Sequence, residues 1–333
     1  MKIFVTGSSG YIGNKLAHTL AANGHVVHAL IRPTSAVDSL HHPSIKIFRG
    51  DLLDKKSILV AMKGCTQVYH TAAIAKLWAK NRDIFYEQNV GCTINVLDAA
   101  LECDVKKLVY TSSCGVWSPA SNHLYTENDP RIGAFDNDYD LSKYLAEKAV
   151  REYGQKGLFT VIVNPPRVYG PGLERSSSAV NRFIHLLLAG RISVLPWSLD
   201  TKANYTFIDD VVQGHILAME KGLGGERYIL GGENISYRQF IDIIKKISTK
   251  KKLYIRIPDV LLKAWSAIEL LRGKISKHDP TITPNMIKRF FLDKMFDCSK
   301  AIKQLGYHIT PFETGLRTTV DYLVQQNKNK HHV

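Results

Sequence analysis

The sequence predicts an α/β protein built on a doubly wound parallel sheet, with a smaller, mixed C-terminal substrate lobe. Three observations predict it. Short β-branched runs alternate with longer amphipathic ones over the first 170 residues. The short runs are apolar nearly throughout, as strands covered on both faces are. A glycine-rich turn follows the first run at once.

The elements follow in order. KIFV (2–5), VVHALI (26–31), IKIF (45–48), QVYH (67–70), KLVYTS (107–112) and FTVIVN (159–164) read as strands. Helical patterns lie between them at 11–23, 55–63, 82–103 and 139–154. Right-handed crossovers then make the sheet parallel. After Gly172 the rhythm breaks; 207–222 reads as a helix and 227–232 as one more strand. The rest is mixed and punctuated by proline. These bounds assign 1–172 plus 206–232 to a Rossmann-type domain. Residues 173–205 plus 233–333 form a substrate lobe over the carboxyl ends of the strands, where such sheets bind ligands.

Composition narrows the class. The chain has 333 residues, 45% hydrophobic and 22% charged, which argues against disordered, collagenous and disulfide-scaffold proteins. No run approaches ~18 apolar residues, so no spanning helix is expected. The opening apolar run is too short for a signal peptide. Cys65, Cys92, Cys103, Cys114 and Cys298 are odd in number and form no CxxC, which predicts reduced thiols in a cytoplasm and no metal site. The net charge is +14, and residues 238–277 hold eleven Lys/Arg against three Asp/Glu. Such a patch attracts nucleic acid, anionic lipid or an acidic carrier, or is simply a solvated face. No aromatic-interleaved motif accompanies it, so a nucleic-acid partner is not expected.

After the first strand stand Thr6, Gly7, Ser8, Ser9, Gly10, Tyr11, Ile12 and Gly13. Gly7 permits a tight turn, Gly10 lets the backbone approach a diphosphate, and Gly13 lets the helix pack on the sheet. The helix N-terminus adds NH donors and positive potential. An NAD site wants a carboxylate at the end of the second strand, to bond the ribose 2′-OH. Here that strand runs into Arg32, which can pair with a 2′-phosphate. NADP(H) is therefore the expected cofactor, with NAD(H) as the lesser one. Asp51, after the third strand, suits the adenine amino group, and equally a loop Asp ahead of a helix.

Tyr–x–x–x–Lys occurs at Tyr11/Lys15, Tyr139/Lys143 and Tyr144/Lys148. Spacing of four on a helix brings ammonium and phenol to one face, where the ammonium favours phenolate. Tyr11 lies inside the glycine loop, and Tyr144 points about 140° away from Tyr139 round the helix. Tyr139 follows the polar stretch 118–138 and opens its helix, so its ring can face the cleft. Ser113, at the end of the fifth strand, would form with Tyr139 a donor pair for a developing alkoxide.

These residues resemble the extended short-chain dehydrogenase/reductases, and within them the dihydroflavonol 4-reductase-like branch. The marks are TGxxGxxG at 6–13, GDL at 50–52, HTAA at 70–73, YTSS at 110–113, YxxSKxxAE at 139–147, PPRVYGPG at 165–172, FIDDV at 207–211 and YILGGEN at 228–234. The resemblance covers nearly the whole chain. It implies that Tyr139 is the general acid in reduction, that Lys143 binds the nicotinamide ribose and tunes Tyr139, and that Ser113 polarises the carbonyl. It implies a cofactor site of Thr6, Gly7, Ser9, Gly10, Tyr11, Ile12, Gly13, Arg32, Asp51 and Leu52. Thr71, Ala72, Ala73, Pro165, Pro166 and Val168, with Tyr139 and Lys143, complete that site. One departure stands at 89–93, where the family pattern NVxGT reads Asn89, Val90, Gly91, Cys92, Thr93. That puts close helix packing there in question.

Nucleotide-sugar epimerases of this superfamily commonly carry an acid after the second strand and an Asn before VYG. This chain has Arg32 and Arg167. Both departures favour a reductase or dehydrogenase that exchanges NADP; an epimerase or dehydratase with tightly bound NAD is the alternative. The candidate substrate segments are Ile74–Arg82, Leu173–Arg182, Leu195–Tyr205 and Ile257–Leu271. Leu77, Trp78, Leu195, Trp197, Tyr205 and Trp265 among them suit a bulky apolar small-molecule carbonyl, or are simply core. Residues 259–272 form an amphipathic stretch beside Lys245–Lys252, which reads as a substrate lid or as a weak membrane-surface contact. The helices at 82–103 and 139–154 suit a helix-bundle homodimer, though a surface helix looks the same in sequence.

Overall fold

A computed structural model describes residues 1–118, 122–173, 179–189, 192–248, 253–275 and 282–330. The chain opens with β1 (Lys2–Thr6), α1 (Tyr11–Ala22), β2 (Val26–Ile31), β3 (Ile45–Arg49), α2 (Lys55–Met62) and β4 (Gln67–His70). Next come α3 (Asp83–Tyr86), a π turn (Glu87–Gly91), α4 (Cys92–Glu102), β5 (Lys107–Thr111), β6 (Leu124–Tyr125), α5 (Asp138–Gln155), β7 (Thr160–Asn164) and β8 (Arg167–Tyr169). The second half contains α6 (Ala179–Leu188), β9 (Ile192–Pro196), β10 (Lys202–Phe207), α7 (Ile208–Lys221), β11 (Arg227–Ile229), β12 (Glu233–Ser236), α8 (Tyr237–Ile247) and β13 (Leu253–Ile257). It ends with α9 (Asp259–Ile275), α10 (Pro284–Phe290), β14 (Met295–Phe296), α11 (Ser299–Leu305) and α12 (Phe312–Lys330).

Seven strands form one parallel sheet in the order β11-β7-β5-β4-β1-β2-β3. The alternation of the strand residues decides which helix each side chain meets. Ile3, Val5, Val27, Ala29, Val109 and Val161 pack with α1, α7 and α11 on one face. Phe4, Leu30, Val68, Leu108, Tyr110 and Ile162 pack with α2, α4 and α5 on the other. Both faces are dry over the central strands, while the edge strand β3 is largely exposed. This is the doubly wound, Rossmann-like α/β architecture that the alternation predicts.

Capping fixes where the helices begin. Asp54 accepts the Lys56 NH at the start of α2, and Asn137 accepts the Asp140 NH at the start of α5 (2.9 Å). Two features differ from the sequence reading. The helix expected over 82–103 is interrupted by the π turn, which carries one residue too many per turn and swings Asn89 inward. β8, outside the strands that the sequence predicts but within the range assigned to the first domain, pairs with β10 in a three-stranded sheet β12-β10-β8. A third apolar cluster, from Tyr169 through Phe207 and Phe240 to Phe312, packs α6, α8 and α12 around that small sheet. No described helix is long and apolar enough to cross a membrane.

Candidate active site

The strand order reverses between β4 and β2, on either side of β1, and the glycine loop lies at that switch point. Gly7 has φ +70°, and a Cβ there would meet Ala72 N at 2.7 Å. Only glycine fits. The Gly10 NH closes the turn on Gly7 O at 2.8 Å. A Cβ on Gly13 would lie 2.3 Å from Gly7 O and 2.4 Å from Thr71 Oγ1, so this glycine lets α1 press on the loop and on the end of β4. Gly10 sits at the N-cap of α1 and no side chain caps the helix, which leaves its first NH groups open to a ligand. The cradle thus fits a dinucleotide diphosphate.

Of the rest of the predicted cofactor set, Thr6, Thr71 and Ala72 adjoin this loop. The Ala72 NH donates to Thr6 Oγ1 (3.2 Å), and Thr71 Oγ1 donates to Thr6 O (2.7 Å). Asp51 Oδ1 accepts the Leu53 NH (2.8 Å) in its own turn, leaving the second carboxylate oxygen without that duty. Leu52 O accepts from Asn95. Arg32 is exposed just past β2. Pro165 O accepts the Cys114 NH (3.1 Å), and Val168 pairs with Thr206. Ser9, Ile12 and Pro166 are half-buried and Ala73 is exposed. Cys92, where close packing was in question, is buried without a clash, and a Cβ on Gly91 would meet nothing nearer than 3.9 Å.

Among the three Tyr–Lys pairs, geometry separates one. Tyr11 Oη donates to Gly170 O (2.7 Å) and accepts from Asn181 (3.2 Å). Tyr144 packs on Phe135. Tyr139 alone lies beside Ser113, whose side chain draws its phenol down. Lys143, one turn on, is buried, with Nζ donating to Thr111 O (2.6 Å) and lying 4.3 Å from the centre of the Tyr110 ring. Burial pushes its ammonium down to about 7, opposed by Glu147. Glu147 in turn accepts from Asn164 (2.7 Å), whose Nδ2 also reaches Ser113 O (3.2 Å).

The expected lowering of the Tyr139 phenol by Lys143 is not found. Burial first, then the Asp140 carboxylate, push it up to about 12, against the pull of Ser113 and Arg289. Burial of the phenol dominates, and the Lys143 ammonium is directed at Thr111 O.

Sequence reasoning missed several residues of this site. Asn89 holds the loop after β4 through Ile74 N (2.7 Å) and Ile74 O (3.2 Å), and donates to Ser142 Oγ (2.9 Å) on α5. The Thr93 hydroxyl donates to Asn89 O, so it accepts from His70 Nε2, whose Nδ1 then accepts from Thr6. His70 is thereby a neutral Nε2–H ring, and burial pushes it down to about 3. Both neighbours of Tyr139 are clasped by arginines. Arg82 Nε and Nη2 reach the Asp138 carboxylate at 2.8 Å each, and Arg289 Nη1 reaches Asp140 Oδ2 at 2.6 Å. The Asn89 signal was the motif at 89–93; the arginines left none, being remote in sequence.

Of the apolar residues expected in a substrate pocket, Leu195 and Tyr205 belong to the small-lobe core, whereas Leu77, Trp197 and Trp265 are exposed. Residues 174–178 of the Leu173–Arg182 segment, and 249–252 of the basic run, lie outside the described residues.

The profile of the NAD-dependent epimerase/dehydratase family matches residues 3–231. The chain is 30% identical to a putative dihydroflavonol 4-reductase of Synechocystis, covering 96% of this chain and 93% of that protein. It is 27% identical to a 3-beta-hydroxysteroid dehydrogenase of Mycolicibacterium neoaurum, covering 92% and 86%. Among solved structures it resembles gox2253 (TM-score 0.80, 28% identity, 97% of this chain and 98% of that one). It also resembles the UDP-glucuronic acid 4-epimerase of Bacillus cereus in complex with NAD (TM-score 0.78, 25% identity, 98% and 97%).

Proposed function

The chain belongs to the NAD-dependent epimerase/dehydratase family, an oxidoreductase-type enzyme family of extended short-chain dehydrogenase/reductases, and from that premise we propose that it is an NADP(H)-dependent reductase/dehydrogenase. Its substrate is the carbonyl or alcohol of a bulky, largely apolar small molecule. The observation that carries this reading is the Tyr139–Ser113 pair with Lys143 one turn behind it. A bound nicotinamide supplies the hydride. Tyr139, protonated at neutral pH, holds the proton that a reduced carbonyl takes up. Ser113 stands beside it as second donor to the growing alkoxide. Lys143, fixed on Thr111 O, lends positive charge beneath the ribose.

NADP preference rests on Arg32, exposed at the end of β2, with no acid from 32 to 37. Arg32→Ala should raise the NADPH dissociation constant about 30-fold through loss of a charge-assisted phosphate contact. The NADH constant should hardly move. Equal losses for both nucleotides would remove the argument.

The nucleotide released on denaturing the purified enzyme tests the whole reading. Little nucleotide, or exchangeable NADP, supports a reductase. Tightly retained NAD would favour a nucleotide-sugar epimerase or dehydratase, the reading to which the likeness to UDP-glucuronic acid 4-epimerase lends weight. A lipophilic substrate also fits the outer face of α9. Leu261, Trp265, Ile268 and Ile275 are all exposed there, with Lys263 and Arg272 on the same helix. The enzyme should float with anionic vesicles at low salt and not with neutral ones; failure to float ends the membrane-surface proposal.

A further inference from the structure

The substrate side of the cleft holds more positive charge than the proposed chemistry needs. Lys294 N donates to Lys202 O, and Lys294 bridges in parallel to Ala203. Two residues along the same strand, Tyr205 pairs in parallel with Arg167. Positions 203 and 205 share one face of β10, so Lys294 and Arg167 extend from that same face. Arg167 Nη1 donates to Tyr237 Oη (2.6 Å) and Tyr205 Oη (3.1 Å). From the other side α10 brings Arg289, which is close enough to Tyr139 to act on its phenol.

Lys294 and Arg289 both face Asp140, the residue next to Tyr139, and Lys294 also lies within electrostatic reach of Arg167 and of Cys114, the residue next to Ser113. Among the described residues Asp140 is the carboxylate set against the Lys294 charge, and its Oδ2 is already taken by Arg289 and Asn137. No described group hydrogen-bonds the Lys294 ammonium. Burial and the two arginines push it down to about 7. A fold gathers like charges at such a cost where a ligand of opposite charge completes the site.

We propose that Lys294, Arg289 and Arg167 form an anion subsite beside Tyr139, and that the substrate is a carbonyl compound carrying a carboxylate. The carboxylate settles among the three cations while the carbonyl oxygen faces Tyr139 and Ser113. This deepens the reductase reading and rests on it for the word substrate; the subsite itself is a matter of binding.

The test therefore reads binding without turnover. Enzyme saturated with NADP⁺ cannot reduce a ketone, so 3-oxodecanoate and its methyl ester can be titrated calorimetrically into that complex. The acid should bind about 30-fold more tightly than the ester, the size of a desolvated charge pair. Lys294→Met should collapse that preference to within about threefold, and Lys294→Arg should keep most of it. Melting curves of both variants confirm that the fold is retained. Equal binding of acid and ester, or a preference that survives in Lys294→Met, overturns the subsite. Decyl phosphate or UDP binding more than about tenfold tighter than 3-oxodecanoate, in a Lys294-dependent way, overturns the carboxylate assignment. NADPH oxidation with the same ketone is a separate readout. If no reduction occurs while the acid preference stands, the reductase reading fails and the subsite does not.

Discussion

Tyr139→Phe should lower kcat about a thousandfold, the scale on which a positioned general acid contributes. The change removes one oxygen from a ring that stays in place, because the clasps at Asp138 and Asp140 hold the start of α5 from both sides. NADPH affinity, measured by fluorescence titration, should stay within about twofold, since the cradle of Gly7, Gly10 and Gly13 is untouched. Ser113 still stands at the carbonyl, so a residual rate should remain. Full activity in the variant would mean that another group delivers the proton. The roles given to Ser113 and Lys143 would fall with it. Loss of nucleotide binding would show instead that the phenol is structural.

Lys143→Met should have two effects of opposite sign. Turnover should fall roughly 10²- to 10³-fold, because the positive charge under the reacting centre is lost. The ligand-free protein should become more stable. Lys143 is buried and its ammonium is pushed down to about 7 from the ordinary value of 10.5. Below pH 7 the folded chain bears a charge that burial penalises and the unfolded chain does not. Between about 7 and 10.5 the unfolded state binds more protons than the native one, so wild-type stability rises with pH across that window. The variant lacks this titration. Its advantage in melting temperature should be largest at pH 6 and shrink toward pH 10. A gap independent of pH would mean that Lys143 is neutral throughout, or that its loss acts through packing alone.

Much of this was legible in the sequence, for physical reasons that can be named. β1, β2 and β4 are covered on both faces, so each reads as an unbroken apolar run and cannot be mistaken for a half-exposed strand. The glycine loop was legible because Gly7 and Gly13 answer to backbone clashes that only glycine escapes. Tyr139 could be preferred over Tyr11 and Tyr144 by position alone, and the hydroxyl of Tyr11 does prove to be engaged elsewhere. Other parts were not legible. The π turn depends on Asn89 reaching across to Ser142, a tertiary contact that overrides a good helical pattern. Arg289 and Lys294 reach the site by folding back over about half the chain, and no local spacing announces that. Tyr205 looked like pocket lining because aromatic residues in a polar stretch serve either purpose. The phenol–ammonium pairing failed as an expectation because spacing on a helix gives proximity, while burial of the phenol pushes it up and a backbone carbonyl holds the ammonium.

The two clasps on α5 differ in reach. Asp138 is held from residue 82, but Asp140 is held from residue 289, and Asp136 accepts from Lys288 and Asn285, some 150 positions away. Contacts of that span close late, because loop entropy is lost before they can reward it. The glycine cradle closes within the first 72 residues. A ribosome-bound chain would therefore complete its glycine cradle well before Tyr139 was locked in register.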